Sequence, residues 1–271
     1  MTSIIARQQA ALQQQAARLR AQQQRREQVN RERQQREQRQ KRINEDAARK
    51  KTALTKHPFI IPPEELEKYD STCYLVGGGP SLVGFDWSKL DGKYVVGVNR
   101  AYEVLPDAQI IYFTDDDWWN VHKPTLLNHK GQFIKGSLNL HRMHDPRVAQ
   151  YLLTGETGWE KGMGRLKHGR NSSYACINML VEHLKFKKIY LLGLDMKWGV
   201  RGKKETSHWH DGHKRTDAES VYGIMTKNIS TIPALLTANG HEDVEIISVN
   251  TPEKCDLKTF PMKSFEEVFG S

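Results

Sequence analysis

The stretch Tyr74-Leu75-Val76-Gly77-Gly78-Gly79-Pro80-Ser81-Leu82 joins an apolar run to three consecutive glycines and a Pro-Ser-Leu exit. Glycine adopts positive φ angles and lets other atoms approach its backbone closely, and proline suits the first turn of a helix. The stretch therefore predicts a strand, a glycine turn and a helix N-terminus, an arrangement whose free N–H groups bind phosphate. The alternative is a tight turn without a ligand. The spacing matches neither the dinucleotide-binding fingerprint nor the P-loop.

Short apolar runs alternate with amphipathic stretches along the chain after residue 70, a pattern typical of α/β proteins. Near-continuous apolar runs indicate strands buried on both faces, as in a mostly parallel sheet flanked by helices. Six strands are predicted, and they are Thr72–Val76, Tyr94–Val98, Gln109–Phe113, Gln132–Lys135, Lys188–Leu192 and Val244–Val249.

Three helices are predicted between the strands, and they are Asp116–Leu127, Ser172–Leu184 and Ala218–Asn239. We expect Ser172 to cap the second helix. We expect Pro233 to break the third in two, since proline in a helix interior removes a hydrogen bond, and Gly240 to end it.

Residues 1–51 carry 14 Lys and Arg against five acidic residues, which leaves 27 residues of each sign in the rest of the chain. The formal net charge of +9 therefore lies in this Gln/Arg-rich segment, which has neither Gly nor Pro. Its strong helix formers predict a long N-terminal helical arm that needs a protein partner. A disordered tail is the alternative, and nucleic-acid binding through the arginines is a third interpretation.

The composition shifts divide the chain into the arm (1–56), a Pro-rich linker (57–70) and a folded domain (71–271). Three cysteines without C-x-x-C spacing argue against a disulfide framework and favour a reducing compartment. No apolar run approaches the length of about 18 residues that predicts a membrane span, and the N-terminus lacks the apolar core of a signal peptide. We therefore expect a cytoplasmic protein.

Polar side chains follow several predicted strands at the carboxyl edge, where open α/β sheets bind ligands. Asn99 and Arg100 suit a ribose or a phosphate. Asp115 and Asp117, in the triplet 115–117, supply the oxygen ligands that Mg²⁺ prefers; the alternative is capping of the next helix. Asp195 is a further candidate for ligand binding at this edge, and the alternative for it is a structural role in forming the turn.

Two further stretches carry reactive side chains. His208, His210 and His213 lie within six positions of a polar loop, and they suit a general base or a phosphate ligand, zinc, or an exposed loop without chemistry. Upstream, Arg165, Lys167 and Arg170 precede Ser172 and suit an anionic substrate. A solvated loop is the alternative for this basic stretch.

The chain resembles a known superfamily over roughly residues 70–269. Val-Gly-Gly-Gly-Pro-Ser-Leu at 76–82, Val-Gly-Val-Asn-Arg-Ala at 96–101, Leu-Leu-Gly-Leu-Asp-Met at 191–196 and Ser-Phe-Glu-Glu-Val-Phe at 264–269 carry the resemblance. Together with the Asp-rich stretch at 115–117, they are similar to sequences of the MptE-like proteins, an archaeal 6-hydroxymethylpterin diphosphokinase group, and of a bacterial sialyltransferase family. Relatives of this type are also frequent in bacteriophages.

The resemblance implies a Rossmann-like nucleotide-binding domain. It implies contacts from Gly77–Ser81 and Asn99 to a nucleotide or nucleotide-sugar donor, and a catalytic histidine from 208–213. For a diphosphokinase it implies Mg²⁺–ATP, with Asp115–Asp117 and Asp195 as ligands.

Two functions follow as hypotheses. The first is a nucleotide-dependent transferase of a glycosyl or diphosphate group. The second is a non-catalytic component of a phage virion or other assembly, docked by the arm, in the host cytoplasm or the virion.

Overall fold

The computed structural model describes residues 59–140, 145–201, 204–210 and 218–270, together with Gln38. In this part of the chain, nine strands pair in parallel into one sheet. The sheet strands are β1 (Thr72–Val76), β2 (Val95–Val98), β3 (Ile110–Phe113), β4 (Gln132–Ser137), β5 (Val148–Leu153), β6 (Arg165–Leu166), β7 (Lys188–Leu192), β10 (Glu245–Val249) and β11 (Met262–Lys263). Between them in sequence, β8 (Gly199–Arg201) and β9 (Lys204–Thr206) form an antiparallel hairpin.

The strand sequences explain why the sheet is covered on both faces. Every residue of β2 and β3 is buried, including a Val-Val-Gly-Val run and an Ile-Ile-Tyr-Phe run. Side chains that alternate between the faces fall into two hydrophobic clusters, one containing Leu75 and the other Val76. This confirms the α/β fold with a parallel sheet and a Rossmann-like architecture.

The order of strands places a switch point at the centre of the sheet. The order is β11-β10-β7-β1-β2-β3-β4-β5-β6, so the chain builds outward from β1 in one direction and then returns to its other side with β7. Thr72 pairs with Lys188 and Val76 with Leu192 across this junction. The connections that follow β1 and β7 lead to strands on opposite sides of this junction, which is where open α/β sheets form a ligand crevice.

The helices are short. They are α1 (Pro63–Lys68), α2 (Asp116–His122), α3 (Ser172–Asn178), α4 (Ala218–Ile229), α5 (Ile232–Ala238) and α6 (Phe265–Phe269). A π-helical segment, Met179–His183, continues α3, and 3₁₀ turns cover Pro80–Leu82, Trp87–Leu90 and Asn99–Glu103.

Two of the helix predictions need correction, and the third is confirmed. The first predicted helix ends at His122 rather than Leu127. The second is capped by Asn171, whose side chain accepts from the N–H of Ser173 at 2.7 Å, so Ser172 lies inside the helix. The third is broken as predicted, with Pro233 in the first turn of α5.

The six predicted strands are present, and two of them have the predicted bounds. The sequence prediction missed β5, β6, β11 and the β8–β9 hairpin. Two of these sheet strands have only two residues, which is too short for an apolar periodicity. In β5, Gln150 interrupts the apolar run.

The predicted linker contains structure. Helix α1 begins after Pro62, and Ile61 is buried in the core cluster that contains Leu75. The predicted arm lies outside the described residues, apart from Gln38. None of the helices in the described part of the chain has the length and apolar composition needed to span a membrane.

Candidate functional site

A buried carboxylate joins the ends of three strands. Asp195, which follows β7, is 1% exposed. Its Oδ2 accepts from the N–H of Ser81 at 2.6 Å, and its Oδ1 accepts from Ser81 Oγ and from Asn250 Nδ2, both at 2.7 Å. Ser81 follows β1 and Asn250 follows β10. Burial raises the pKa of the Asp195 carboxyl, although these hydrogen bonds oppose the shift. Three donors already occupy this carboxylate, so it serves to tie the loops together.

The glycine loop donates most of its N–H groups to the protein. Gly77 donates to the carbonyl of Leu192 at 2.8 Å, Gly79 donates to that of Gly193 at 2.7 Å, and Ser81 donates to Asp195. The predicted helix N-terminus is wrong, because the chain makes a single 3₁₀ turn of three residues after Gly79. Among the described atoms, the N–H of Gly78 has no protein acceptor. Among the described atoms, the loop therefore offers a phosphate fewer N–H groups than the sequence suggests.

Close packing explains all three glycines. A Cβ on Gly77 would lie 2.7 Å from the carbonyl oxygen of Gly193, and one on Gly79 would lie 2.6 Å from the same oxygen. A Cβ on Gly78 would meet the imidazole ring of His208 instead. The loop after β1 thus lies directly against the loop after β7 and against the His208 ring.

His208 is held against the glycine loop by its neighbours. Trp209 donates its backbone N–H to Gly78 O at 2.9 Å and its Nε1–H to Gly77 O at 3.1 Å. The Trp209 ring packs against Trp87, with ring centroids 5.4 Å apart. His208 Nδ1 lies 2.8 Å from Ser207 Oγ. The segment 207–209 is therefore clamped at the switch point.

A cavity of about 250 Å³, the central pocket, opens at this point. Its walls come from the ends of β1, β2 and β7, the segment 170–173, the segment 207–208 and one face of α4. The side chains that define it include Asn99, Arg170, Ser172, His208, Tyr222 and Met225. Asn99 has a positive φ of 52°, a conformation that asparagine tolerates better than most residues.

A larger cavity of about 660 Å³, the lateral pocket, shares Arg170–Ser172 with the central pocket. Lys135 in its wall is 1% exposed, and its Nζ lies 2.7 Å from Asp116 Oδ1 and 3.1 Å from Ser137 Oγ. Burial lowers the pKa of His168, another lining residue. The Arg170 guanidinium donates to Glu156 at 2.9 Å. The ion pairs therefore neutralise both cations of this cavity.

Asp115 and Asp117 line the lateral pocket. Asp115 caps α2 by accepting from the N–H of Asp117 at 2.9 Å, which is the alternative that the sequence left open. Across the described residues, no group of three or more potential metal ligands occurs. A zinc site from the histidine loop also finds no third ligand there: the rings of His208 and His210 lie 5.0 Å apart, and His213 lies outside the described residues.

Six of the predicted site residues that the structure describes line neither pocket, and they are Pro80, Ser81, Arg100, Arg165, Lys167 and His210. Arg100 donates to Glu103 at 2.6 Å and lies 3.4 Å from His210 Nδ1. Arg165 pairs with Glu160 at 3.5 Å on the far edge strand β6, and Lys167 follows that strand. The strand β6, which the sequence did not predict, carries these two cations away from the switch point.

Sequence reasoning missed several lining residues. Lys135, Ser137, Ser207 and Lys197 give no local motif, because each is a single polar residue beside an apolar run or in a loop. The residues of α4 that line the central pocket, Val221, Tyr222 and Met225, follow helical spacing. That periodicity indicates a buried helix face but does not show which cavity it borders.

The fold and the crevice define a Rossmann-like, doubly wound α/β protein with a pocket at its switch point. The sequence model of the family described as Nup85 Nucleoporin matches residues 51–190, just over half of the chain, and by this match the chain belongs to that family. The matched range ends inside β7 and leaves out Asp195, His208 and Asn250. It therefore covers only part of the site, with Gly77–Gly79, Asn99 and Arg170–Ser173 inside the matched range.

The Nup85 Nucleoporin family differs from the one that the sequence motifs resemble, so the resemblance to MptE-like proteins stays a prediction. No curated protein matches the chain. Among solved structures, the sialyltransferase CST-II in complex with trisaccharide acceptor and CMP matches at 13% identity with a TM-score of 0.42, over 70% of this chain and 85% of that chain. A similarity this low carries no argument about chemistry.

Alanine at two neighbouring glycines should have different effects on stability. Gly79→Ala forces a Cβ against the backbone oxygen of Gly193, and we expect the free energy of unfolding to fall by about 1–3 kcal/mol. Gly78→Ala displaces the His208 ring, a side chain, instead of the backbone, and we expect a smaller loss than for Gly79→Ala. Urea denaturation of both variants measures the difference, and equal losses would contradict the packing described for this loop.

Replacing the buried carboxylate should also destabilise the protein. Asp195→Asn keeps the shape of the side chain but turns one acceptor toward Ser81 or Asn250 into a donor. We expect a loss of about 1–3 kcal/mol at pH 7. The exposed Asp107→Asn variant is the control and should change little, because Asp107 is 82% exposed and lies 4.0 Å from Lys130.

The same variant should alter the pH dependence of stability. Because burial raises the pKa of folded Asp195 above its unfolded value, the folded state binds more protons between those two values. The advantage of the wild type over Asp195→Asn should therefore be largest below the unfolded pKa and shrink as pH rises through the raised folded pKa. Urea denaturation across this range measures it, and a difference that grows with pH would show that the pKa is lowered instead.

Proposed function

We propose that the protein is a nucleotide-dependent transferase that binds its donor in the central pocket and moves a glycosyl or diphosphate group to an acceptor. The observation that carries this proposal is the position of His208, clamped against Gly78 in the crevice at the switch point. Ligands of open α/β sheets bind at this place. A second cavity that shares Arg170–Ser172 gives room for a second substrate.

The donor would contact a small set of groups in the central pocket. The N–H of Gly78 supplies one hydrogen bond to a phosphate oxygen, and the Asn99 and Ser172 side chains supply others. Arg170 lies between the two cavities, and its partner Glu156 has 38% of its side chain exposed. A phosphate group can therefore take the place of that carboxylate on the guanidinium.

His208 would act as the general base. The acceptor hydroxyl attacks the transferred carbon or phosphorus atom, its proton passes to the imidazole, and the bond to the nucleotide phosphate breaks. The leaving phosphate keeps the electron pair, and Arg170 offsets its charge. Ser207 Oγ, 2.8 Å from Nδ1, fixes the ring so that Nε2 accepts the proton when Nδ1 carries its own hydrogen.

For a Mg²⁺-dependent diphosphate transfer, Asp115 and Asp117 are the residues that would hold the ion, and it would supply charge neutralisation at the phosphates. The described residues add no third ligand to this pair.

The alternative hypothesis, a non-catalytic component of a phage virion or other assembly, depends on the arm. The arm lies outside the described residues, so its protein or nucleic-acid partner and the cytoplasmic location stay predictions.

Removal of the base should lower turnover without removing donor binding. In His208→Gln we expect kcat to fall by about 10²–10⁴-fold, the usual contribution of a general base, with a small change in donor affinity. His183→Gln is the control, because His183 lies on the π-helical segment and lines neither cavity. His210→Gln shows whether the neighbouring histidine acts instead.

The donor can be found by thermal shift with ATP and a panel of nucleotide sugars, each with and without Mg²⁺. A ligand at 100 times its Kd stabilises the folded state by about 2.7 kcal/mol, which is readily measured. If no nucleotide raises the Tm of the wild type, the proposal is wrong. If binding occurs and His208→Gln keeps full turnover, the role of the base is wrong.

A further inference from the structure

A third cavity of about 590 Å³, the helix pocket, lies beside the central pocket. The two cavities share Met196, Lys197 and Tyr222. The helix pocket is completed by Trp198, by Gly223 and Thr226 on α4, and by Asp256. The two cavities are therefore neighbours that share part of one wall.

Helix α4 borders both cavities and turns a different side to each. Val221 and Met225, four positions apart, line the central pocket. Gly223 and Thr226, three positions apart, line the helix pocket. Residues three and four apart lie on the same side of a helix, so α4 turns one side to each cavity and places Tyr222 between them.

Gly223 lies in the interior of the 12-residue helix α4, where glycine is less favourable than alanine. The packing gives no reason for it, because a Cβ added there would have no described atom within 4 Å. This differs from Gly77 and Gly79, where a Cβ would strike the backbone. The missing side chain keeps the helix backbone open toward the cavity.

The lining residues indicate the chemistry of the ligand. Trp198 and Tyr222 present aromatic surface, Met196 presents a polarisable thioether, and such groups suit the face of a flat ring. Two of the lining residues are charged: Lys197 Nζ donates to Glu253 O at 3.0 Å and lies 3.6 Å from Asp256. We propose that the helix pocket binds a planar heteroaromatic ring, and that Gly223 is the position that admits it.

This proposal rests on the proposed function for the nature of the ligand. The ring would be the base of the nucleotide whose phosphates lie in the central pocket. Its test uses Gly223→Ala and Gly223→Leu in the full chain. Without ligand, Gly223→Ala should raise the Tm by about 2–4 °C, because alanine favours the helix. Both variants should bind the nucleotides and free purine and pyrimidine bases more weakly than the wild type, by about tenfold or more for leucine.

Two controls separate helix stability from binding. Thr237→Ala improves helix propensity in α5, outside the cavity, and should leave the affinity for bases unchanged. Inorganic pyrophosphate, which has no ring, should bind the Gly223 variants as it binds the wild type. Isothermal titration gives the affinities, and Trp198→Leu should abolish any quenching of tryptophan fluorescence by free bases.

The outcomes distinguish the two proposals. If Gly223→Leu binds nucleotides and bases as tightly as the wild type, or if neither class binds the wild type, the assignment of the helix pocket is wrong. If free bases bind and Gly223→Leu weakens them, the helix pocket is supported. If, in that case, nucleotides bind no more tightly than free bases, the proposed transferase function is wrong although the helix pocket is supported.

Discussion

The Asp195 carboxylate is the constraint on which the centre of this structure depends. A carboxylate buried to this degree is costly unless hydrogen bonds compensate it, and here Ser81 and Asn250 supply three donors. These donors follow β1 and β10, the strands on either side of β7 in the sheet. The hydrogen bonds to this one buried carboxylate therefore fix the ends of three parallel strands at the edge where the cavities open.

The packing of the glycine loop depends on these hydrogen bonds to Asp195. Once Ser81 is held at Asp195, the backbone of Gly77–Gly79 lies against Gly193, and any Cβ there would strike an oxygen atom or the His208 ring. The glycines are thus required by packing between loops even without a ligand. The reactive group of the crevice comes from elsewhere, because Trp209 fastens the segment with His208 onto the carbonyls of the same loop.

The parts of this arrangement that the sequence predicts are those with a local signal. Continuous apolar runs gave Thr72–Val76 and Lys188–Leu192 with their observed bounds, and Pro233 divided the last long helix as its ring requires. Contacts between distant positions have no such signal. Ser81 and Asp195 are 114 positions apart, and nothing local predicts that the helix start after Gly79 gives way to their hydrogen bonds.

Lys135 shows the same limit for a single residue. Lysine is almost never fully buried unless it is paired, so a lysine at the end of an apolar run is read as the exposed end of a strand. The strand continues to Ser137. Asp116, from the helix after β3, forms an ion pair with the buried ammonium group of Lys135. Its burial depends on a partner from another element, which only the fold brings close.

Ion pairs also connect the cavities to the helix that borders them. Glu156 accepts from Arg170 through one oxygen and from Asn228 on α4 through the other, at 2.9 and 3.1 Å. Asn228 is buried and also donates to Gly169 O at 3.0 Å. Glu156 therefore links Arg170, in the wall between the central and lateral pockets, to the helix that carries Tyr222.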